Sequence, residues 1–97
     1  MRIRTSPGEI LREEFMRPLG LSGAALAEAL DVPGNRITDI LRGRRDISAD
    51  TALRLARFLG TTPRFWLNLQ TNYNLSVAEA KLGTAIRRHV RRHKRAA

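Results

Sequence analysis

What most limits the folds open to this chain is its punctuation. Short side chains that can accept a hydrogen bond from an amide just ahead stand before the apolar runs, and glycine or proline closes most of those runs. Ser6-Pro7-Gly8-Glu9 joins a capping serine, a proline at the first helical position and a glutamate three residues after the cap. The helix it opens carries Ile10, Leu11, Glu14 and Phe15 and stops at Pro18 to Gly20. Ser22 caps an alanine-rich second helix, Gly23 to Leu30, which Asp31-Val32-Pro33-Gly34 breaks. A third is predicted from Asn35 to Arg42, with Gly43 where a left-handed residue is expected. Ser48, with Asp50 in the first turn, opens a fourth helix whose Ala52, Leu55, Ala56 and Leu59 recur at i, i+3, i+4 and i+7, one buried face. Gly60 ends it. Thr62-Pro63 opens a fifth, bearing Phe65, Trp66, Leu67 and Leu69. Asn72 to Asn74 reads as a turn, and Ser76-Val77-Ala78-Glu79 as a second capping box before a C-terminal helix with Leu82, Ile86 and Val90 four apart. Gly83 weakens that helix by about 1 kcal/mol relative to alanine. No segment shows strand alternation or a hairpin dipeptide, and no internal repeat is visible. The expectation is an all-α chain: a compact five-helix domain over residues 1–75, then a basic helix or tail over residues 76–97.

A chain of 97 residues buries roughly 60–70% of the surface of its unfolded form, enough for one modest core. Hydrophobic content of 42% argues against a wholly disordered chain. The absence of cysteine excludes disulfides and thiolate zinc sites and fits a reducing, cytoplasmic setting. No apolar run approaches the ~20 residues of a membrane span, and no apolar stretch follows the basic residues near Met1, so no secretory leader is expected. Charge is uneven. Residues 81–97 hold seven of the eighteen cations (Lys81, Arg87, Arg88, Arg91, Arg92, Lys94 and Arg95) and no acid. The preceding residues keep eleven cations against all nine acids, close to balance. Such a tail suits a polyanion; the alternative is a solvated end.

Leu30, Val32, Ile37 and Ile40 are spaced to pack two short helices joined by the Asp31–Gly34 turn, and Ala27 is small enough for a close crossing. Two helices linked that tightly form a helix-turn-helix. The second presents Asn35, Arg36, Thr38, Asp39 and Arg42, hydrogen-bonding side chains on one rigid rod, as major-groove readout requires. Arg44 and Arg45 follow in a loop that begins with Gly43, where cations would meet phosphate and fix register. A plain helical hairpin with a polar face is the alternative.

Residues 22–45 resemble the helix-turn-helix of the phage-repressor-like (XRE) family. Pro7-Gly8-Glu9-Ile10-Leu11, Pro18-Leu19-Gly20-Leu21-Ser22, Ile47 to Ala56 (ISADTALRLA) and Phe65-Trp66-Leu67-Asn68-Leu69-Gln70 narrow the resemblance to the HigA, or VapI-like, antitoxins, over roughly residues 6–75. It implies a lambda-repressor-like five-helix domain. It also implies a homodimer that represses its own operon at an inverted repeat and neutralises a HigB-like toxin, an mRNA endonuclease of the RelE type. Phage-type repressors commonly place glutamine just after the cap of the first motif helix. Gly23 stands there instead, so that position offers no side chain to DNA, although its backbone can approach phosphate. The basic tail lies outside the matched part. A stand-alone repressor without a toxin, and an interaction module that has lost DNA binding, are the other readings.

On this footing Asn35, Arg36, Thr38 and Asp39 are expected at base edges, Asn35 pairing with adenine. Asp39 either accepts from cytosine N4 or orients Arg36 or Arg42 by a salt bridge. Ser22, Gly23, Gly34, Arg42, Arg44 and Arg45 are expected at phosphate, although Gly34 could simply start its helix. Operator half-sites would lie about one DNA turn, ~34 Å, apart. Glu9, Glu13 and Glu14 form an acidic face for a basic toxin, where complementarity speeds encounter; Glu9 also serves its capping box. Phe58, Phe65 and Trp66 could stack on single-stranded nucleic acid, but they share a region with Leu55, Leu59 and Leu69 at helical spacing and are expected in the core. Part of the stretch Phe65 to Tyr73, with Phe65, Trp66, Leu69 and Tyr73, would form the dimer seam. No catalytic set, phosphate loop or dinucleotide fingerprint is present, and no cofactor, small-molecule substrate or membrane partner is expected. His89 and His93 lie four apart without the glutamate of a zinc-helix motif and among cations, so no metal is expected there.

Overall fold

The computed structural model describes residues 3–94, and within them the chain is built of five helices. Helix α1 covers residues 7–19 in three windings: an α-helical turn at Pro7–Ile10, a π-helical stretch at Leu11–Met16 and a closing α-helical turn at Arg17–Leu19. Then come α2 (Gly23–Leu30), α3 (Gly34–Leu41), α4 (Ala49–Leu59) and α5 (Pro63–His89).

Four of the expected caps are made. The hydroxyls of Ser6, Ser22, Ser48 and Thr62 accept from the amides of Glu9, Ala25, Thr51 and Phe65 at 3.3, 3.0, 3.3 and 3.1 Å. Each cap of this type contributes about 1 kcal/mol. The π-helical stretch has a local cause. Pro18 has no N–H, and its ring crowds the carbonyl four residues back; widening the preceding turn relieves that crowding. The Arg17 amide accordingly reaches the Arg12 carbonyl, five residues away.

Every helix sends a fully buried side chain to one core: Leu11 from α1, Leu26 from α2, Ile37 from α3, Leu55 from α4 and Trp66 from α5. Trp66 donates its indole N–H to the Thr61 hydroxyl at 2.7 Å, so its one polar atom is satisfied. Phe58, expected inside, is instead 44% exposed. It sits at the margin of the α4 face that Ala52, Leu55 and Ala56 bury, beside the exposed Leu53 in a shallow groove between α2 and α4.

The largest departure from the sequence reading is α5. No turn interrupts residues 72–74, and Ser76 does not cap a new helix. Asn74 lies mid-helix, accepting from the Gln70 side chain at 3.0 Å and donating to Asp46 at 3.0 Å. Ser76 is fully buried; its hydroxyl donates back to the Tyr73 carbonyl at 2.8 Å and accepts from the Arg4 amide at 3.0 Å. These tertiary partners outweigh the local signals of turn and cap. The result is a 27-residue rod, about 40 Å long. Its last part runs past the core, leaving Leu75, Leu82 and Ile86 exposed. The Cα radius of gyration is therefore 16.5 Å, against about 13 Å for a compact chain of 100 residues, and the longest dimension is 53 Å. No helix among the described residues is long and apolar enough to cross a membrane.

Candidate nucleic-acid interface

Helices α2 and α3 meet through Leu26, Ala27, Leu30, Ile37 and Ile40, all buried. The turn between them is possible because Asp31 takes a left-handed conformation (φ 57°), which aspartate tolerates better than most side chains. Helix α3 is one residue displaced from expectation. Gly34 is its first residue, with open space where a Cβ would stand, and Leu41 its last. Gly43 follows at φ 74°, and the Gly43 and Arg44 amides return to the carbonyls of Ile40 and Asp39 at 3.1 and 2.8 Å.

The first turn of α1 holds α3 from behind. Gly8 is buried against the end of α3, so closely that a Cβ there would overlap the Ile40 carbonyl oxygen. From the next turn, Arg12 donates its Nη2 to the Leu41 carbonyl at 3.0 Å, satisfying one of the helix-end carbonyls. The loop after α3 is held by a second device, a polar relay. The Ile47 amide donates to Gln70 Oε1 at 2.8 Å in a buried bond, and Gln70 continues through Asn74 to Asp46. Arg44 and Arg45 thus stand on a loop fastened at Ile47 and Asp46 to α5.

Residues expected at base edges lie on α3 and its continuation, but not all extend freely. Asn35 is exposed. Arg36 turns toward α4 and donates to Asp50 at 2.6 Å. The Thr38 hydroxyl donates to the Gly34 carbonyl at 3.2 Å, which leaves its lone pairs as its outward hydrogen-bonding capacity. Asp39 pairs with Arg45 at 3.5 Å, so the salt bridge left open from sequence is made with neither Arg36 nor Arg42. Arg42, Arg44 and Arg45 are all exposed. Ser22 spends its hydroxyl on the α2 cap, and Gly23 is half-buried with no neighbour nearer than 3.9 Å to a virtual Cβ, so packing does not demand glycine there.

Asp50 is the residue that sequence reading passed over. It was legible only as a first-turn acid of α4. In space it joins three helices, accepting from Arg36 of α3 and from Arg54 of its own helix at 3.1 Å, while Arg54 Nη1 donates to the Leu30 and Asp31 carbonyls at the end of α2. Hydrogen bonding to Arg54, joined by that to Arg36, holds the Asp50 carboxyl below its ordinary value against a smaller opposing effect of burial. The i, i+4 spacing of Asp50 and Arg54 was the available signal. For Gln70 the signal was an amide side chain beside the apolar Leu67 and Leu69, and for Gly8 a glycine inside a helix.

The remaining candidates are scattered. Glu9, Glu13 and Glu14 are exposed on α1, Glu13 paired with Arg17 at 3.1 Å, and the last two ride on the π-helical stretch. Trp66 is fully buried and cannot face a partner subunit, so it leaves the expected dimer seam and cannot serve as a stacking platform. Phe65 is 37% exposed at the edge of a cluster with Phe15 and Trp66, ring centroids 5.0–6.1 Å apart; Leu69 and Tyr73 are half-buried. His89 ends α5, so the helical i, i+4 geometry does not extend to His93. Among the described residues no group of three or more metal-ligating side chains converges. Arg95 lies outside them.

The family model described as helix-turn-helix (HTH_3) matches residues 11–66. Virulence-associated protein I of Dichelobacter nodosus is 58% identical over 73 residues, which are 75% of this chain and 68% of that protein. Among solved structures, antitoxin GraA superposes with a TM-score of 0.91 at 53% identity, covering 96% of this chain and 99% of that one. A second GraA structure, in complex with its operator, gives 0.89 over 96% of this chain and 93% of that one. A Pseudomonas aeruginosa antitoxin HigA with the higBA promoter gives 0.88 at 46% identity, covering 93% and 97%.

Proposed function

The chain belongs to the helix-turn-helix (HTH_3) family, among its HigA- and VapI-like members, and from that premise we propose that it is the DNA-binding antitoxin of a toxin–antitoxin pair. It binds double-stranded DNA at an inverted repeat as a homodimer, represses its own operon and neutralises a basic, HigB-like mRNA endonuclease in the cytoplasm. It carries out no catalysis itself. Residues 1–75 read the operator, and residues 76–97 add a basic extension. One observation carries the reading: α3 is buried on one side by the core and backed by α1, while Asn35, Arg42, Arg44 and Arg45 remain exposed on and just beyond it. That is a rigid rod with hydrogen-bonding groups of base-reading type and cations at its end. The operator complexes of GraA and of the Pseudomonas aeruginosa antitoxin support it by similarity.

In this reading Asn35, Thr38 and Arg36 face base edges, and Asp39 sets Arg45 toward phosphate. Ser22, Gly23 and Gly34 bring backbone close to phosphate, and Arg42 and Arg44 neutralise it. Exposed Phe65, with Leu69 and Tyr73, contributes to the dimer seam. Glu9, Glu13 and Glu14 receive the toxin. Mobility shifts at fixed salt test the core of the proposal. Asn35→Ala should relax discrimination at one base pair by about 1–3 kcal/mol, whereas Arg44→Ala should weaken specific and random duplexes alike. Equal losses on both duplexes for Asn35→Ala would remove it from base reading.

A further inference from the structure

Resting on the DNA-binding reading above, we infer that Asp50 is the positioning residue for Arg36, and that Arg36 so held reads a guanine. The geometry is a chain of contacts from the fixed body outward. The Leu30 and Asp31 carbonyls at the end of α2 accept from Arg54 Nη1 at 2.9 and 3.1 Å. Arg54 Nε donates to Asp50 Oδ2 at 3.1 Å, and the same oxygen accepts from Arg36 Nη1 at 2.6 Å. A flexible arginine is thereby fixed at one nitrogen.

The other edge of the Arg36 guanidinium, Nε with Nη2, has no hydrogen-bond partner among the described residues. Those two nitrogens carry parallel donors, the pattern that matches O6 and N7 of guanine in the major groove. Adenine offers N7 beside a donor amine, so the same edge would meet a mismatch. A half-exposed ion pair contributes little to folding, so the worth of Asp50 should appear in recognition rather than in stability. The negative charge of Asp50 also discourages Arg36 from settling on phosphate, where it would carry no sequence information.

The test begins with an operator selected by the unmodified protein from a randomised duplex pool. Guanines are then replaced one at a time, G·C to A·T. The unmodified protein should lose about tenfold or more at one guanine per half-site. Asp50→Asn, nearly isosteric, should shrink the penalty at that position to within about threefold, keep the other penalties and unfold at nearly the same temperature. In an Arg36→Ala background, Asp50→Asn should change no penalty further. The inference is overturned if Asp50→Asn keeps the guanine penalty, flattens every position equally, or adds a loss when Arg36 is absent. If the unmodified protein selects no sequence, the DNA-binding reading falls first and takes this inference with it.

Discussion

Gly8 occupies a position that no side chain can share. The Ile40 carbonyl lies where its Cβ would be, and the obstacle is backbone, which cannot turn aside as a side chain would. Gly8→Ala should therefore destabilise the fold by about 1–3 kcal/mol in a denaturant titration. Gly34→Ala, with open space at the site, should be neutral or slightly stabilising in the same measurement. Asp50 gives a test in pH. Its carboxyl is held below the ordinary value near 3.8, chiefly by Arg54 and then by Arg36. A group lowered by folding adds its stability above the unfolded value and surrenders it as pH falls through the folded one. The stability difference between the unmodified protein and Asp50→Asn should be small, constant through neutral pH, and vanish as the pH is taken below that ordinary value. A difference that persisted there would mean that the carboxylate charge is not its source.

Helices were legible where their signals are local. Ser22, Ser48 and Thr62 make the caps their spacing predicts, and the left-handed glycines at 20, 43 and 60 close or follow helices as expected. The apolar spacing of Ala52, Leu55 and Ala56 gave the inner face of α4 correctly. What failed were signals that tertiary partners override. Asn74 and Ser76 look like turn and cap because they can bond nearby backbone, yet in the fold Asn74 bonds Gln70 and Asp46, and the Ser76 hydroxyl accepts from Arg4 while donating back to the Tyr73 carbonyl within the unbroken helix. The candidate interface was legible as a face, from Asn35 to Arg45, but not as a wiring diagram. The partners of Arg36 and Asp39 are 14 and six positions away across a turn that sequence does not orient. The relay through Gln70 makes its own prediction. Gln70→Leu would strand the buried Ile47 amide, at about 1–3 kcal/mol. Hydrogen exchange at Ile47 should quicken, since the bond that protects it in the folded state is gone. Unchanged exchange at that amide would mean that the relay does not fasten the loop.

Across the whole molecule, charge and shape are divided. The globular part is nearly balanced, whereas the described end from Lys81 onward carries cations and no acid, all of it exposed apart from Gly83. Glu79 folds alongside Gly83 to pair with Arg87, a contact confined to the rod itself. Shortening the chain after Leu82 should therefore leave the fold intact by circular dichroism. It should also make operator affinity fall less steeply with salt, by about 0.9 in the logarithmic slope for each phosphate that the extension neutralises. An unchanged slope would place the extension away from DNA.

Because α5 is one unbroken helix from the core to His89, its basic end is carried at a fixed azimuth about the helix axis, as a cam is carried on a shaft. One residue inserted after Ala80 would advance Arg87 and Arg88 by about 100° while hardly changing their reach; seven would restore the heading to within about 20° and add about 10 Å. If the extension works by direction, operator affinity should drop with one added residue and recover with seven. If it works only as loose charge, the two insertions should bind alike.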